Sequence, residues 1–164
     1  MDILLIAGLW LDGSAWDNVA AQPKALGHRA VPVTLPGQGD GNRSATLVDQ
    51  VAAVVTAVDA AAGKPMVVGH SAACSLAWLA ADARLSKISK VALIGGFPSS
   101  DGEAYFDGFP VQDGAMPFPG WGEFEGPDSA DLDDAAKAGL RVGSDPGPRR
   151  GLSRSDHASR RAPL

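Results

Sequence analysis

The residues best suited to covalent chemistry lie in segment 69–73, which reads Gly-His-Ser-Ala-Ala. The segment follows a short apolar run at residues 65–68 and precedes an alanine-rich run with helical spacing. A serine on such a tight strand-to-helix turn projects its hydroxyl over the edge of a sheet, close to the backbone N–H groups that begin the helix. The pattern therefore predicts that Ser71 is a nucleophile.

A simpler interpretation of the same segment is structural. Serine is favoured at helix N-termini, so Ser71 could do no more than cap the helix that follows. The segment also departs from the nucleophile consensus Gly-x-Ser-x-Gly, because Ala73 stands in the last position. Alanine is small enough to let strand and helix approach closely, and the choice between the two interpretations depends on the rest of the chain.

Three other segments favour the catalytic interpretation. Residues 3–10 form an apolar run around a glycine turn, which is typical of a buried parallel strand. Residues 29–39 read as a strand followed by a loop rich in proline and glycine, and residues 90–96 read as another short buried strand. In their order and context, these segments resemble the α/β-hydrolase superfamily over roughly residues 1–140.

The resemblance implies an α/β fold and a serine nucleophile, Ser71, that forms a covalent acyl-enzyme. It implies an oxyanion held by the backbone N–H groups of Leu9 and Ala72. Besides Ala73, further positions depart from the pattern of the superfamily, and Thr34 stands where its loop has aspartate. Ala7 stands where many members have histidine, and Gln38 replaces the histidine of the loop that follows the second strand.

The general base and the acid are harder to assign. The order in the superfamily is serine, then acid, then histidine. His28 precedes the nucleophile and reads as a solvated loop residue, and His70 is held by the turn itself, which leaves His157 as the candidate base. Asp101 or Glu103, directly after the fourth strand, is the candidate acid, although both also fit a turn with exposed carboxylates.

Strand and helix patterns alternate along the chain, which predicts a parallel sheet with flanking helices and right-handed crossovers. The predicted strands cover residues 3–8, 29–34, 65–69 and 90–95, and the predicted helices cover residues 14–26, 46–62 and 72–83. The resemblance implies two further strands that would carry the acid and the base. We therefore expect an α/β-hydrolase-like sheet that is incomplete at its C-terminus.

Residues 141–164 differ in composition from the rest. Up to residue 140 the chain has eight lysines and arginines against seventeen acidic residues, whereas the remainder has six arginines, no lysine and two aspartates. This remainder is rich in glycine, proline and serine, so we expect a disordered basic tail after a partial hydrolase core at residues 1–140. A truncated or frameshifted reading frame would explain the change, and a genuine tail that binds an acidic partner is the alternative.

Aromatic residues are concentrated in residues 97–140, between glycines, prolines and acidic residues. This segment either covers the nucleophile as a lid, with aromatic side chains lining a substrate pocket, or packs as a loop on the edge of the sheet.

The composition excludes several classes of protein. A single cysteine allows no internal disulfide and fits a cytoplasmic protein, and no signal peptide or membrane span is evident. The acidic balance argues against nucleic acid as a partner, and no motif for a cofactor or metal is present. We expect hydrolysis of an ester or related acyl bond in a small molecule. The alternative is an inactive hydrolase fragment or a non-enzymatic binding module.

Overall fold

The computed structural model describes residues 1–127 and 129–140, together with the backbone of residues 144–146. The main strands are β1 (Asp2–Ile6), β2 (Arg29–Val33), β3 (Met66–His70) and β4 (Lys90–Ile94), and the short strands are β5 (Ala115–Pro117) and β6 (Ser144–Pro146). The helices are α1 (Asp17–Ala25), α2 (Leu47–Ala60), α3 (Ala73–Ala83) and α4 (Asp134–Gly139), with 3₁₀ turns at Gly13–Trp16 and Trp121–Phe124.

The four main strands form one parallel sheet in the order β2-β1-β3-β4. This confirms the predicted parallel sheet with flanking helices. Ile6 lies beside Val33 on one side and Gly69 on the other, and Gly69 lies beside Leu93. All four strands therefore end at the same edge, where side chains from separate loops can meet.

The C-terminal part of the chain contributes one small feature to the described structure. Strand β6 pairs antiparallel with β5, apart from the main sheet. The rest of the tail expected over residues 141–164 lies outside the described residues.

Helix α2 begins and packs as its sequence predicts. The Thr46 hydroxyl accepts the Asp49 N–H at 3.2 Å, and the Asp49 carboxylate accepts the Thr46 N–H at 2.8 Å, which completes a capping box. The apolar face of the helix packs with α3 over the sheet, and its buried members are Leu47, Val51, Val54 and Val58. The main core therefore lies between this pair of helices and the sheet.

The predicted helix at residues 14–26 begins differently. The Asp12 carboxylate accepts the Ser14 N–H at 2.8 Å and starts a single 3₁₀ turn, so that α1 begins only at Asp17. No residue of α1 is fully buried. An acceptor two residues upstream captures the first free N–H group and tightens the turn there, which shifts the start of the α-helix.

The carboxylate of Asp2 links three elements at the opposite edge of the sheet. It accepts hydrogen bonds from the Arg29 guanidinium, with Nε at 2.9 Å, and from the Ala62 N–H at 2.9 Å. Strand β1 is thereby tied to β2 and to the end of α2. The hydrogen bond from Arg29, followed by that from Ala62, lowers the pKa of Asp2 to about 2.

Stability is expected to depend on Asp2 at low pH. Because its pKa is lower in the folded chain than the ordinary value of 3.8, its contribution is complete above that value and is lost as the pH falls toward 2. Asp2→Asn should unfold at a lower temperature than the wild type at neutral pH. Between pH 4 and pH 2 its melting temperature should also fall less steeply.

Thermal unfolding followed by circular dichroism across this pH range measures both effects. Asp107→Asn is the control, because Asp107 is exposed and has no ion-pair partner among residues 1–127 and 129–140. An acid dependence in Asp2→Asn as steep as that of the control would contradict the prediction.

Candidate active site

Ser71 lies on the turn between β3 and α3 with φ at +55°, in the left-handed region that L-residues rarely adopt. Its N–H donates to the Ile94 carbonyl at 2.8 Å, and its carbonyl accepts the Cys74 N–H at 3.0 Å. A non-glycine residue in this conformation costs about 1–2 kcal/mol. Two hydrogen bonds therefore hold Ser71 in a strained turn of the kind that is concentrated at functional sites.

Glycine is required on both sides of this turn. A Cβ atom on Gly69 would lie 2.5 Å from the Ala73 carbonyl oxygen, and one on Gly96 would lie 2.5 Å from the Ser71 carbonyl oxygen. Both clashes are with backbone, which no rotamer change relieves. Ala73 itself is fully buried, so the last position of the motif also needs a small side chain.

The loop after β1 lies directly against this turn. A Cβ atom on Gly8 would lie 3.0 Å from the Ser71 Cβ and 3.1 Å from His70 Nδ1. Leu9 follows in the same loop and packs near Ala72. Among the described residues, neither the Leu9 N–H nor the Ala72 N–H donates a hydrogen bond, so both are free to bind an oxygen atom.

His70 is half-buried beside the nucleophile candidate. Burial lowers the pKa of His70 below its ordinary value of 6.5, so its ring is neutral at pH 7. The ring meets Trp16 edge-on, with the centroids 6.3 Å apart. No hydrogen bond joins the imidazole to Ser71 within the described part of the chain.

The other histidines lie elsewhere. His28 precedes β2, and its Nδ1 is 3.4 Å from the terminal nitrogen of Met1. That position is at the edge of the sheet opposite Ser71, since the parallel strands start there. His157, the candidate base, lies outside the described residues.

The candidate acids follow β4 as the sequence indicates. Glu103 closes a local turn, in which its carboxylate accepts the Ser100 N–H at 2.9 Å. It lines a small cleft with Ser75 and Trp78 of α3, and Asp101 is exposed. In residues 1–127 and 129–140 no hydrogen bond joins either carboxylate to Ser71, so the assignment of an acid stays a prediction.

Aromatic side chains from the 97–140 segment pack over the same loops. Trp10 lies at their centre with φ at +66°, and its indole N–H donates to the Met116 carbonyl at 3.0 Å. Four phenylalanine rings surround it, with centroids 5.4–6.4 Å from its own: Phe106, Phe109, Phe118 and Phe124. This aromatic cluster also contacts Leu9 and Ala72, so the segment lies over the candidate oxyanion site and its rings pack on one another.

Gln38 is a residue of the site to which the sequence assigned no role. Its side chain is buried, accepts the Leu35 N–H at 3.2 Å and donates to the Gly8 carbonyl at 3.4 Å. The feature of the sequence that could have indicated a role for Gln38 is its position in a loop rich in proline and glycine, after a strand that ends at the same edge as β1.

The described residues contain no group of three or more histidine, cysteine, aspartate or glutamate side chains placed to hold a metal ion. Within the same part of the chain, no helix is both long enough and apolar enough to span a bilayer. Cys74 is buried in α3, and burial raises the pKa of its thiol.

The comparisons with known proteins agree with this architecture. The model of a family described as "Alpha/beta hydrolase family" matches residues 3–163. The chain belongs to the alpha/beta hydrolase family. No curated protein matches this alpha/beta hydrolase.

Solved structures with the same fold include an extracellular hydrolase, a pyrethroid hydrolase and an esterase. An extracellular alpha/beta-hydrolase from a Paenibacillus species has a TM-score of 0.75 and 21% identity, with 99% of this chain and 75% of the other covered. A pyrethroid hydrolase from Sphingobium faniae has a TM-score of 0.67 and 18% identity, with 93% and 71% covered. Polyneuridine aldehyde esterase has a TM-score of 0.54 and 19% identity, with 63% and 43% covered.

Proposed function

We propose that this chain is a serine hydrolase that cleaves an ester or related acyl bond of a small molecule through Ser71. The observation that carries the proposal is the left-handed backbone of Ser71 on the β3–α3 turn, held by hydrogen bonds on both sides. A serine that only capped a helix would not need a left-handed backbone, because serine caps helices in the extended conformation. Membership of the alpha/beta hydrolase family supports the same chemistry.

In the proposed reaction, Ser71 Oγ attacks the carbonyl carbon of the ester and gives its proton to a general base. The carbonyl oxygen becomes an oxyanion that accepts hydrogen bonds from the N–H groups of Leu9 and Ala72. Each such donor lowers the barrier by about 2.7–4 kcal/mol where it has been tested. The alcohol then leaves with a proton, and water hydrolyses the acyl-enzyme to release the acid and restore Ser71.

His157 is the proposed base, with Asp101 or Glu103 as the acid that orients it. The backbone of β6 supports the idea that the C-terminal segment returns to the rest of the protein, because β6 pairs with β5 next to Met116 of the aromatic cluster. His70 is not proposed as the base, because the Nδ1 edge of its ring lies against Gly8 and the turn fixes its orientation.

A fluorophosphonate probe tests the proposal, since it reacts with serines that are activated as nucleophiles. We expect the wild type to gain one adduct, mapped to Ser71 by mass spectrometry, and Ser71→Ala to gain none. Ser86→Ala is the control, because Ser86 is exposed and distant in sequence from the turn, and it should be labelled like the wild type. His157→Ala should slow the labelling if His157 is the base.

The second candidate function is that of a catalytically inactive alpha/beta hydrolase that retains ligand binding. It is favoured by one observation: within residues 1–127 and 129–140, no histidine is hydrogen-bonded to Ser71. A sample that unfolds cooperatively but takes up no fluorophosphonate at Ser71 would favour this candidate and contradict the serine hydrolase.

A further inference from the structure

The buried amide of Gln38 connects the loop after β2 to the loop after β1. Its Oε1 accepts the Leu35 N–H at 3.2 Å, and its Nε2 donates to the Gly8 carbonyl at 3.4 Å. The two partners determine which way the amide faces, because a backbone N–H needs an acceptor and a carbonyl needs a donor. With only 3% of its surface exposed, Gln38 has no alternative partner in bulk water.

The bond to Gly8 constrains the next peptide group. The structure has no cis peptide bonds among its described residues, so the Gly8 carbonyl and the Leu9 N–H point in opposite directions across one planar unit. The carbonyl is held on its own side by Gln38 and by the Leu11 N–H at 3.3 Å. The Leu9 N–H must therefore point away from both donors, and it is free of any partner in the described structure.

We propose that Gln38 is a positioning residue that aims the Leu9 N–H at the oxyanion formed when Ser71 attacks. The inference rests on the proposed serine hydrolase function. Gly8 brings this peptide against Ser71, and the close packing of Gly8 on the Ser71 Cβ leaves little room for it to tilt. The hydrogen bond from Gln38 is a second restraint on the Gly8 carbonyl, beside that from the Leu11 N–H. It prevents the peptide group from rotating about its axis, a rotation that would move the Leu9 N–H away from the carbonyl of the substrate.

A glutamine suits this position because it both donates and accepts from one rigid planar group. Glutamate keeps the acceptor for the Leu35 N–H but, when ionised, has no proton to give to the Gly8 carbonyl. Methionine fills a similar volume and does neither. The two replacements therefore separate the bond to Gly8 from the packing of the side chain.

A second buried glutamine, which bonds to the same loop from a neighbouring helix, provides a matched control. Gln50 lies on α2, is 1% exposed, and donates from Nε2 to the Pro36 carbonyl at 3.1 Å. It supports the loop after β2 but has no bond to Gly8. If loop stability alone matters, Gln38→Met and Gln50→Met should impair the protein alike.

The decisive experiment measures kcat and KM for hydrolysis of p-nitrophenyl acetate by the full chain. We expect Gln38→Met to lower kcat roughly ten- to a hundredfold while KM changes less than about threefold, because the lost interaction acts in the transition state. Gln50→Met should keep kcat within about threefold of the wild type. Equal kcat values for the two methionine variants would overturn the proposal.

Gln38→Glu adds a pH-dependent readout that a purely structural role would not produce. At neutral pH it should resemble Gln38→Met. As the pH falls, protonation of the new carboxyl restores a donor to the Gly8 carbonyl, so the ratio of variant to wild-type kcat should rise. A ratio that stays flat while Gln38→Met is impaired would overturn the role of the Gly8 bond.

If the proposed serine hydrolase function is wrong, the wild type gives a different result from the one described above. In that case the wild type itself neither turns over the ester nor takes up fluorophosphonate at Ser71. The positioning of the peptide is then read from the ¹⁵N resonance of Leu9, which reports hydrogen bonding at the preceding carbonyl. Gln38→Met should shift that resonance and Gln50→Met should not, and an unchanged resonance in both would overturn the inference independently of activity.

Discussion

Ser71→Gly and Ser71→Ala are expected to abolish the proposed ester hydrolysis alike, with kcat falling by at least about a thousandfold, because both remove the nucleophile. Their stabilities should nevertheless differ. Alanine keeps the Cβ atom that makes φ +55° unfavourable, whereas glycine adopts this conformation freely. The glycine variant should therefore have a free energy of unfolding about 1 kcal/mol above that of the alanine variant.

Urea unfolding and p-nitrophenyl acetate hydrolysis measure the two effects on the same samples. Asp113 offers a matched control, because it also has positive φ, at +51°, and lies in a turn far along the chain from the nucleophile. Asp113→Gly should likewise be more stable than Asp113→Ala, with activity retained in both. Equal stability of the two Ser71 variants would mean that the turn is not strained, and residual activity in Ser71→Ala would place the nucleophile elsewhere.

Gly69→Ala is expected to lower the free energy of unfolding by about 3 kcal/mol or more. The new methyl group would lie 2.5 Å from the Ala73 carbonyl oxygen and 2.9 Å from the Cys74 Cα, and both atoms belong to the backbone of the turn. Strand β3 and helix α3 must separate to admit it. The same movement would displace Ser71, so any folded fraction should also react slowly with the fluorophosphonate.

Gly122→Ala is the control for the effect of adding a methyl group to a glycine. A Cβ atom on Gly122 meets nothing within 4 Å, and its φ lies outside the left-handed region. Its stability should stay within about 0.5 kcal/mol of the wild type. The urea midpoint of each variant makes the comparison, and a Gly69→Ala protein as stable as this control would refute the tight contact between strand and helix.

Much of the scaffold follows from short-range patterns. Thr46 and Asp49 are three residues apart and bond to each other wherever a helix starts between them, so the sequence located the beginning of α2 correctly. Apart from Asp2, Arg29, His70 and Lys90 at their ends, the four main strands consist of apolar residues and glycine, which is typical of parallel strands. The parallel sheet and the position of Ser71 on its turn follow from the alternation of these runs with helices.

Contacts between distant segments decided the surroundings of the site. The 3₁₀ start of the predicted helix at 14–26 is a local exception, because it depends on the orientation of the Asp12 side chain. The aromatic residues of 97–140 were consistent with a lid or with a packed loop. Their place over the nucleophile turn depends on Trp10, which bonds to Met116 across 106 residues.

By itself, the sequence determined the parallel α/β fold and the nucleophile candidate on its Gly-His-Ser-Ala-Ala turn, because both follow from patterns within single strands, turns and helices along the chain. The tertiary structure decided which groups face that turn. Gln38 reaches Gly8 across 30 residues, and the loops after β1 and β2 meet only because parallel strands end at one edge of the sheet. Such a contact cannot be recognised from the periodicity of the sequence, because a glutamine is written in the same way whether its amide is buried or exposed.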